Sequence, residues 1–166
     1  MSRDALVLIH PTLGVLGVMG ALWVFVEAIR IDPGAIQRIK YASLVVAALM
    51  FATWFAGGLW DATYFSGDQG MLSQGPWAFV GNTAMETKEH AFVIVLLLAL
   101  YLPVAAFSSG LMSKPGNRLI VAAVSGLIVL GGLGMEGAGA VLGLSVRVGM
   151  STHMDMDTGM GTGMAD

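Results

Sequence analysis

Residues 119–146 read "LIVAAVSGLIVLGGLGMEGAGAVLGLSV", and Glu136 is their only charged residue. A helix needs about 20 predominantly apolar residues to cross the hydrocarbon core of a bilayer. Three further stretches, 5–26, 41–60 and 91–113, contain no Asp, Glu, Lys or Arg at all. Strict alternation of apolar and polar residues, which is typical of a membrane β-barrel, is absent. The sequence therefore predicts an all-α, four-helix transmembrane bundle with spans at 5–29, 40–60, 89–109 and 118–146.

The composition agrees with this assignment and excludes several functions. Charged residues make up 11% of the chain, against about 25% in soluble domains. Zero cysteines exclude disulfides, iron–sulfur clusters bound by thiolates and covalently attached haem. No basic patch of the kind that binds nucleic acid is present. We expect one membrane domain, residues 1–150, with a lid at 61–87 and a flexible tail at 151–166.

The orientation follows from the distribution of basic residues. Four spans place both termini on one side of the membrane and the two short connections on the other. The connections carry Arg30, Arg38, Lys40, Lys114 and Arg118, whereas the side of the termini carries Arg3, Lys88 and Arg147. Lys and Arg are enriched in cytoplasmic loops. We therefore predict a bacterial inner-membrane protein with both termini on the periplasmic side.

Two histidines open spans that run in the same direction. His10 lies near the start of the first span, and His90 opens the third. Imidazoles at matching depth on neighbouring helices are suited to the axial coordination of one b-type haem. The alternative is a pair of interfacial histidines that form hydrogen bonds with lipid headgroups or loops.

Charged groups near these histidines extend the hypothesis. Arg3, Lys88 and Arg147 would neutralise haem propionates at the outer surface. Glu86 and His90 are four residues apart on one helix face, so Glu86 would orient His90 or bind the same metal ion. The alternative is an ordinary helix start, with acidic residues near the positive end of the helix dipole.

The fourth span combines a carboxylate with many glycines. An intramembrane Glu is costly unless it is paired, protonated or hydrated, so Glu136 is a candidate proton carrier or buried hydrogen-bond partner. The glycines would let a flat macrocycle lie against the helix, or would simply allow close packing of helices.

The tail is rich in methionine. Thioether sulfur suits Cu(I), and imidazole adds affinity for either copper state. A copper site on the oxidising side would use residues His10, Glu86, His90, Met150, His153, Met154, Met156, Met160 and Met164. The alternative is a polar, disordered end in which the methionines have no role.

Four motifs resemble a family of uncharacterised four-span bacterial membrane proteins. They are "LIHPTLGVLGVMGALW", "FAGGLWD", "KEHAFVIVLLLALYL" and "GGLGMEGAGAVLGLSVRVGM", and the resemblance covers residues 6–150. Members carry His-Pro in the first span, a His opening the third and a glycine-rich fourth span, and some are fused to Rieske ferredoxin domains. The resemblance implies a cytochrome-b-like redox role for His10, Pro11, His90 and the glycines. The single His in the first span, where many members have two, implies one haem.

Three functions follow as hypotheses. The first is a b-type haem electron-transfer protein or redox-complex subunit, in which case other membrane redox subunits or further copies of the chain are expected partners. The second is a copper-binding or copper-delivery membrane protein. The third is a structural accessory subunit of a membrane complex. No nucleophile–base pair indicates an enzyme.

Overall fold

The computed structural model describes residues 3–30, 32, 34–65, 78–108, 110 and 114–161. These residues form four long helices and, within the part described, no strand. The helices are α1 (Arg3–Ile29), α2 (Ala35–Trp60), α3 (Ala78–Phe107) and α4 (Pro115–Gly161), and α2 continues into a wider π-helical turn at Asp61–Phe65. All four are long and apolar enough to cross a membrane, over Asp4–Ile29, Ala35–Tyr64, His90–Phe107 and Pro115–Val141. The predicted four-helix membrane bundle is confirmed.

The four helices form a ring. Helix α1 packs against α2 and α4, and α3 packs against α4 and α2, so α1 and α3 lie diagonally opposite. We call the end of the bundle where both chain termini emerge the terminal end, and the end with the two short connections the turn end. Most of the core lies toward the turn end, where small residues such as Ala28, Ala35 and Ala106 are fully buried. Large apolar side chains cover the outside, including Met19 at 62% and Leu130 at 68% exposure, as expected for helices in lipid.

The connection between α1 and α2 is held by charges. The carboxylate of Asp32 accepts hydrogen bonds from the main-chain N–H groups of Gly34 and Ala35 at 2.8 and 2.9 Å, which satisfies two free donors at the start of α2. Arg38 donates two hydrogen bonds of 2.9 Å to Glu27 and one of 3.1 Å to Asp32. This two-pronged contact fixes the angle between the helices.

The connection between α3 and α4 includes a glycine that the backbone requires. Gly110 has φ of 93°, in a region that side-chain-bearing residues rarely adopt. Its carbonyl accepts a 2.8 Å hydrogen bond from the N–H of Lys114, directly before α4 begins at Pro115. Proline is well suited to a first helical position because its fixed φ matches the helix.

Two boundaries differ from the sequence prediction. Helix α3 begins at Ala78 and not at residue 89, so residues 78–87 of the predicted lid are helical. Within this segment Ala84, Met85 and Glu86 favour helix whether or not lipid surrounds them. Helix α4 continues to Gly161, so residues 151–161 are helical where a flexible tail was predicted; no proline interrupts them. Residues 66–77 of the lid and 162–166 of the tail lie outside the described residues.

Candidate functional site

Regular contacts between α1 and α2 establish the depth of each residue. A methyl group added to Gly17 would lie 3.0 Å from Cε of Met50, and one added to Gly20 would lie 2.9 Å from Cγ2 of Val46. The same antiparallel register brings Gly14 opposite Thr53 and His10 opposite Gly57. Each of these glycines lets the two helices approach closely.

His10 is held against α2 near the terminal end of the bundle. Its Nδ1 lies 2.9 Å from the main-chain oxygen of Thr53. Because a carbonyl can only accept, Nδ1 carries the hydrogen, and in the neutral imidazole the lone pair is then on Nε2. A methyl group at Gly57 would lie 2.7 Å from Cε1 and 2.8 Å from Nδ1 of His10, so the ring occupies the space that a side chain would need.

His10 lies on the face of α1 that is buried in the bundle. The buried positions Leu6, Gly14, Gly17 and Ala21 lie on one face of α1, and His10 is four residues from both Leu6 and Gly14 on that face. The ring itself is partly buried. An imidazole anchored through Nδ1 with its Nε2 lone pair on the inner side of a helix is the arrangement used by metal-binding histidines.

His90 is anchored in a similar way but lies on a different side of the bundle. Its Nδ1 donates to the main-chain oxygen of Glu86 at 2.8 Å, so Glu86 orients it through the backbone of its own helix. The buried positions on α3, Val95 and Ala99, continue toward the terminal end at residues 91 and 92, which pack partly against the core. His90 therefore lies on the far side of α3 and is exposed.

The structure does not bring His10 and His90 together. Val95 of α3 contacts Gly131 of α4. His90 is five residues from Val95 and Glu136 is five residues from Gly131, both toward the terminal end, so His90 and Glu136 lie at the same depth. Glu136 lies at the depth of Gly14, and His90 is therefore about 6 Å deeper than His10. The two helices are diagonal, and the two rings occupy different faces. Axial coordination of haem by His10 and the shared bis-His site both stay predictions.

Glu136 approaches the backbone of α1 one helical turn from His10. A methyl group at Gly14 would lie 3.2 Å from Oε1 of Glu136 and 3.6 Å from Cγ2 of Thr53. Gly14 is buried, whereas Glu136 is exposed although it falls within the membrane span of α4. The hydroxyl of Thr53 donates to the carbonyl of Leu49 at 2.8 Å.

The other predicted ligands are dispersed. Arg147 is exposed on α4 and Glu86 is exposed on α3. The backbones of Arg3, Lys88, Met150, His153, Met154, Met156 and Met160 belong to helices, but their side chains, like the whole of Met164, lie outside the description. Among the described residues, no three His, Cys, Asp or Glu side chains are close enough to hold a metal ion.

Three residues of this region were missed in the sequence: Gly14, Thr53 and Gly57. A signal for two of them was present, because Gly14 lies four residues from His10 on the same helix face, and "GG" at 57–58 interrupts an otherwise bulky helix end. Thr53 contributes through its main-chain carbonyl, which no side-chain pattern identifies.

The fold and this polar region define a four-span helical membrane protein with a histidine and a carboxylate near one end of the bundle. Comparison with protein-family models, with curated proteins and with solved structures finds no match. The family resemblance of the sequence motifs therefore stays a prediction.

Proposed function

We propose that this protein is a membrane-embedded b-type haem-binding electron-transfer protein, or a subunit of a membrane redox complex. The observation that supports the proposal is the hydrogen bond from His10 Nδ1 to the Thr53 carbonyl at 2.9 Å. This bond fixes the tautomer that carries its lone pair on Nε2, the nitrogen that would bind iron, and it holds the ring against α2.

The residues of this chain would each have a defined task. His10 would hold the group as an axial ligand, and Gly57 would keep its ring in place. Arg147, with Arg3 and Lys88, would neutralise propionates at the terminal end. A bound haem would supply transfer of one electron at a time. Under this proposal the terminal end faces the periplasm, across a bacterial inner membrane, and other membrane redox subunits or a second copy of the chain are the partners.

The test is the absorption spectrum of the protein purified from membranes in mild detergent. We expect a Soret band, and we expect His10→Ala to abolish it. Thr12→Ala is the matched control, because Thr12 is exposed on the same helix and its hydroxyl binds only the Leu8 carbonyl at 2.7 Å. A parent protein that binds no haem even after reconstitution with excess haem would contradict the proposal. Copper bound to that colourless protein would support the copper alternative.

His90 is tested separately as the second ligand. Haem with two histidine ligands has a low-spin spectrum with a sharp reduced α-band, whereas loss of one ligand shifts it toward high spin. If His90 coordinates, His90→Ala should produce that shift. If the spectrum of His90→Ala matches that of the parent protein, His10 is the only histidine ligand from these two spans.

A further inference from the structure

A groove separates α1 from α4 at the terminal end of the bundle. The two helices contact each other where Gly126 meets Phe25, where Gly132 meets Val18 and where Gly14 meets Glu136. Gly143 lies seven residues from Glu136 on the same face of α4, and a methyl group there would have no described heavy atom within 4 Å. Val7, on the facing side of α1, is 52% exposed.

Glu136 forms the floor of this groove. Its carboxylate is exposed inside the membrane span of α4. Arg38 forms ion pairs with Glu27 and Asp32 at the turn end, and no described residue forms a hydrogen bond or ion pair with Glu136. A carboxylate at this depth is strongly disfavoured in lipid unless water, a proton or another cation reaches it.

Beneath Glu136 the bundle is closed. Gly132 and Val18 are in direct contact, and a methyl group at Gly131 would lie 2.5 Å from Cγ2 of Val95. The core cluster continues from there to the turn end of the bundle. A small ion that enters the groove from the terminal end can therefore reach Glu136 and go no further in this conformation.

The helices around Glu136 carry charged or titratable groups between its depth and the terminal end. On α1, His10 is one turn closer to the termini. On α2, Asp61 follows Gly57 by one turn, and its buried Oδ1 accepts no hydrogen bond from the described residues. On α3, His90 is level with Glu136 but on the far side. On α4 itself, Arg147 is exposed about 16 Å along the helix.

We propose that the groove between α1 and α4 is a dead-end aqueous path for a small monovalent cation, which binds at the Glu136 carboxylate. The cation is a proton or a hydrated alkali ion, since both neutralise one carboxylate. This site is separate from the proposed haem ligand, because His10 faces α2 and the inside of the bundle whereas the groove lies between α1 and α4. The proposal stands whether or not haem binds.

The first test uses the absence of cysteine from the chain. Single cysteines are introduced as Glu136→Cys and Ala140→Cys in the groove, with Gly134→Cys and Val141→Cys as controls at nearby depths on the opposite face of α4. Gly134 and Val141 are exposed, as are Glu136 and Ala140, so exposure at the surface of the bundle does not distinguish the groove cysteines from the controls. A charged, membrane-impermeant thiol reagent is then added to proteoliposomes.

The groove cysteines should react more than about tenfold faster than the controls, because a charged reagent is excluded from lipid but enters water. Equal rates within each pair would overturn the aqueous path, and would indicate that lipid or a partner covers the groove. Correct folding of each variant is checked by its elution from gel filtration.

The second test identifies the cation. A hydrophobic carbodiimide reacts with protonated carboxyl groups inside membranes, and Glu136→Gln should remove the labelled peptide. Labelling that falls as the pH rises, with no effect of sodium against choline, identifies a proton site. Additional protection by sodium at constant pH identifies an alkali-ion site. Absence of labelling at Glu136 at every pH would overturn cation binding there.

Discussion

The ring of His10 reaches the main chain of Thr53 because residue 57, one turn further along α2, has no side chain. The ring fills the space beside Gly57, and its Nδ1 then lies 2.9 Å from the Thr53 oxygen. The close contact between α1 and α2 and the tautomer of the His10 imidazole therefore depend on the same glycine, Gly57. A single methyl group added at Gly57 should disturb both.

Gly57→Ala should displace the His10 ring. The new Cβ would lie 2.7 Å from Cε1 of His10, and overpacking of this kind typically costs about 1–3 kcal/mol. The measurement is the free energy of unfolding in mixed micelles, together with the Soret band of the haem-loaded protein. Gly58→Ala is the control, since a methyl group there would have no described heavy atom within 4 Å. Equal stability of the two variants would contradict the contact.

Gly132→Ala should destabilise the seam between α1 and α4, and Val18→Ala should compensate. The Val18 side chain occupies the space that a Cβ on residue 132 needs. We expect the single change at 132 to cost roughly 1–3 kcal/mol and the double variant to recover part of the loss. A double-mutant cycle measures this coupling. Strictly additive effects would show that the two residues do not compete for space, and Gly134→Ala should be neutral because its surroundings are open.

Asp32→Asn should remove a pH-dependent part of the stability. The pKa of Asp32 is lowered, chiefly by the hydrogen bond from the Ala35 N–H; desolvation opposes this shift, and the Gly34 N–H and Arg38 lower the pKa further. Because its pKa is lowered in the folded state, ionised Asp32 stabilises the folded protein at pH values above the ordinary aspartate pKa of about 3.9. This stabilisation is lost as the pH falls through the lowered pKa. Asparagine can still accept the hydrogen bonds that begin α2.

The measurement for Asp32 is the difference in unfolding free energy between parent and Asp32→Asn as a function of pH. The parent should be the more stable at neutral pH, and the difference should shrink as the pH falls below about 3.9. A difference that stays constant with pH would mean that the charge of Asp32 contributes nothing.

Leucine substitution of the tail methionines should weaken Cu(I) binding. Leucine at positions 150, 154, 156, 160 and 164 keeps bulk and removes every thioether, so affinity measured by competition should fall more than tenfold, over ~1.4 kcal/mol. Asp155→Asn with Asp157→Asn should change it far less, because carboxylates are hard ligands. If the leucine variant binds Cu(I) as tightly as the parent protein, the sulfur atoms of the tail do not contribute to copper binding.

The membrane bundle was predictable because charge is so unevenly distributed along the chain. Uninterrupted apolar runs such as 41–60 leave a membrane helix as the simplest solution. The ends of the helices were less predictable, since residues 78–87, which read "AFVGNTAMET", mix apolar and polar residues and are helical outside any apolar run.

The inner and outer faces of each span were not predictable from the sequence. A helix in lipid is apolar on all sides, so periodicity does not separate its buried face from its lipid face. His10 and His90 occupy similar positions in the sequence of their spans, but in the structure His10 packs against α2 whereas His90 is exposed. The order of helices in the ring decides which residues meet, and only the structure supplies it.

The length of α4 determines how far the methionines are from the histidine. His10 is level with Ala140, and the backbone of Met154 lies fourteen residues beyond that level in one continuous helix, or about 21 Å along its axis. Metal ions are held by donor atoms about 2–3 Å away, so no single ion can bridge His10 and the helical part of the tail. Copper captured there would be held beyond the lipid headgroups, where a water-soluble carrier can collect it without approaching the membrane core.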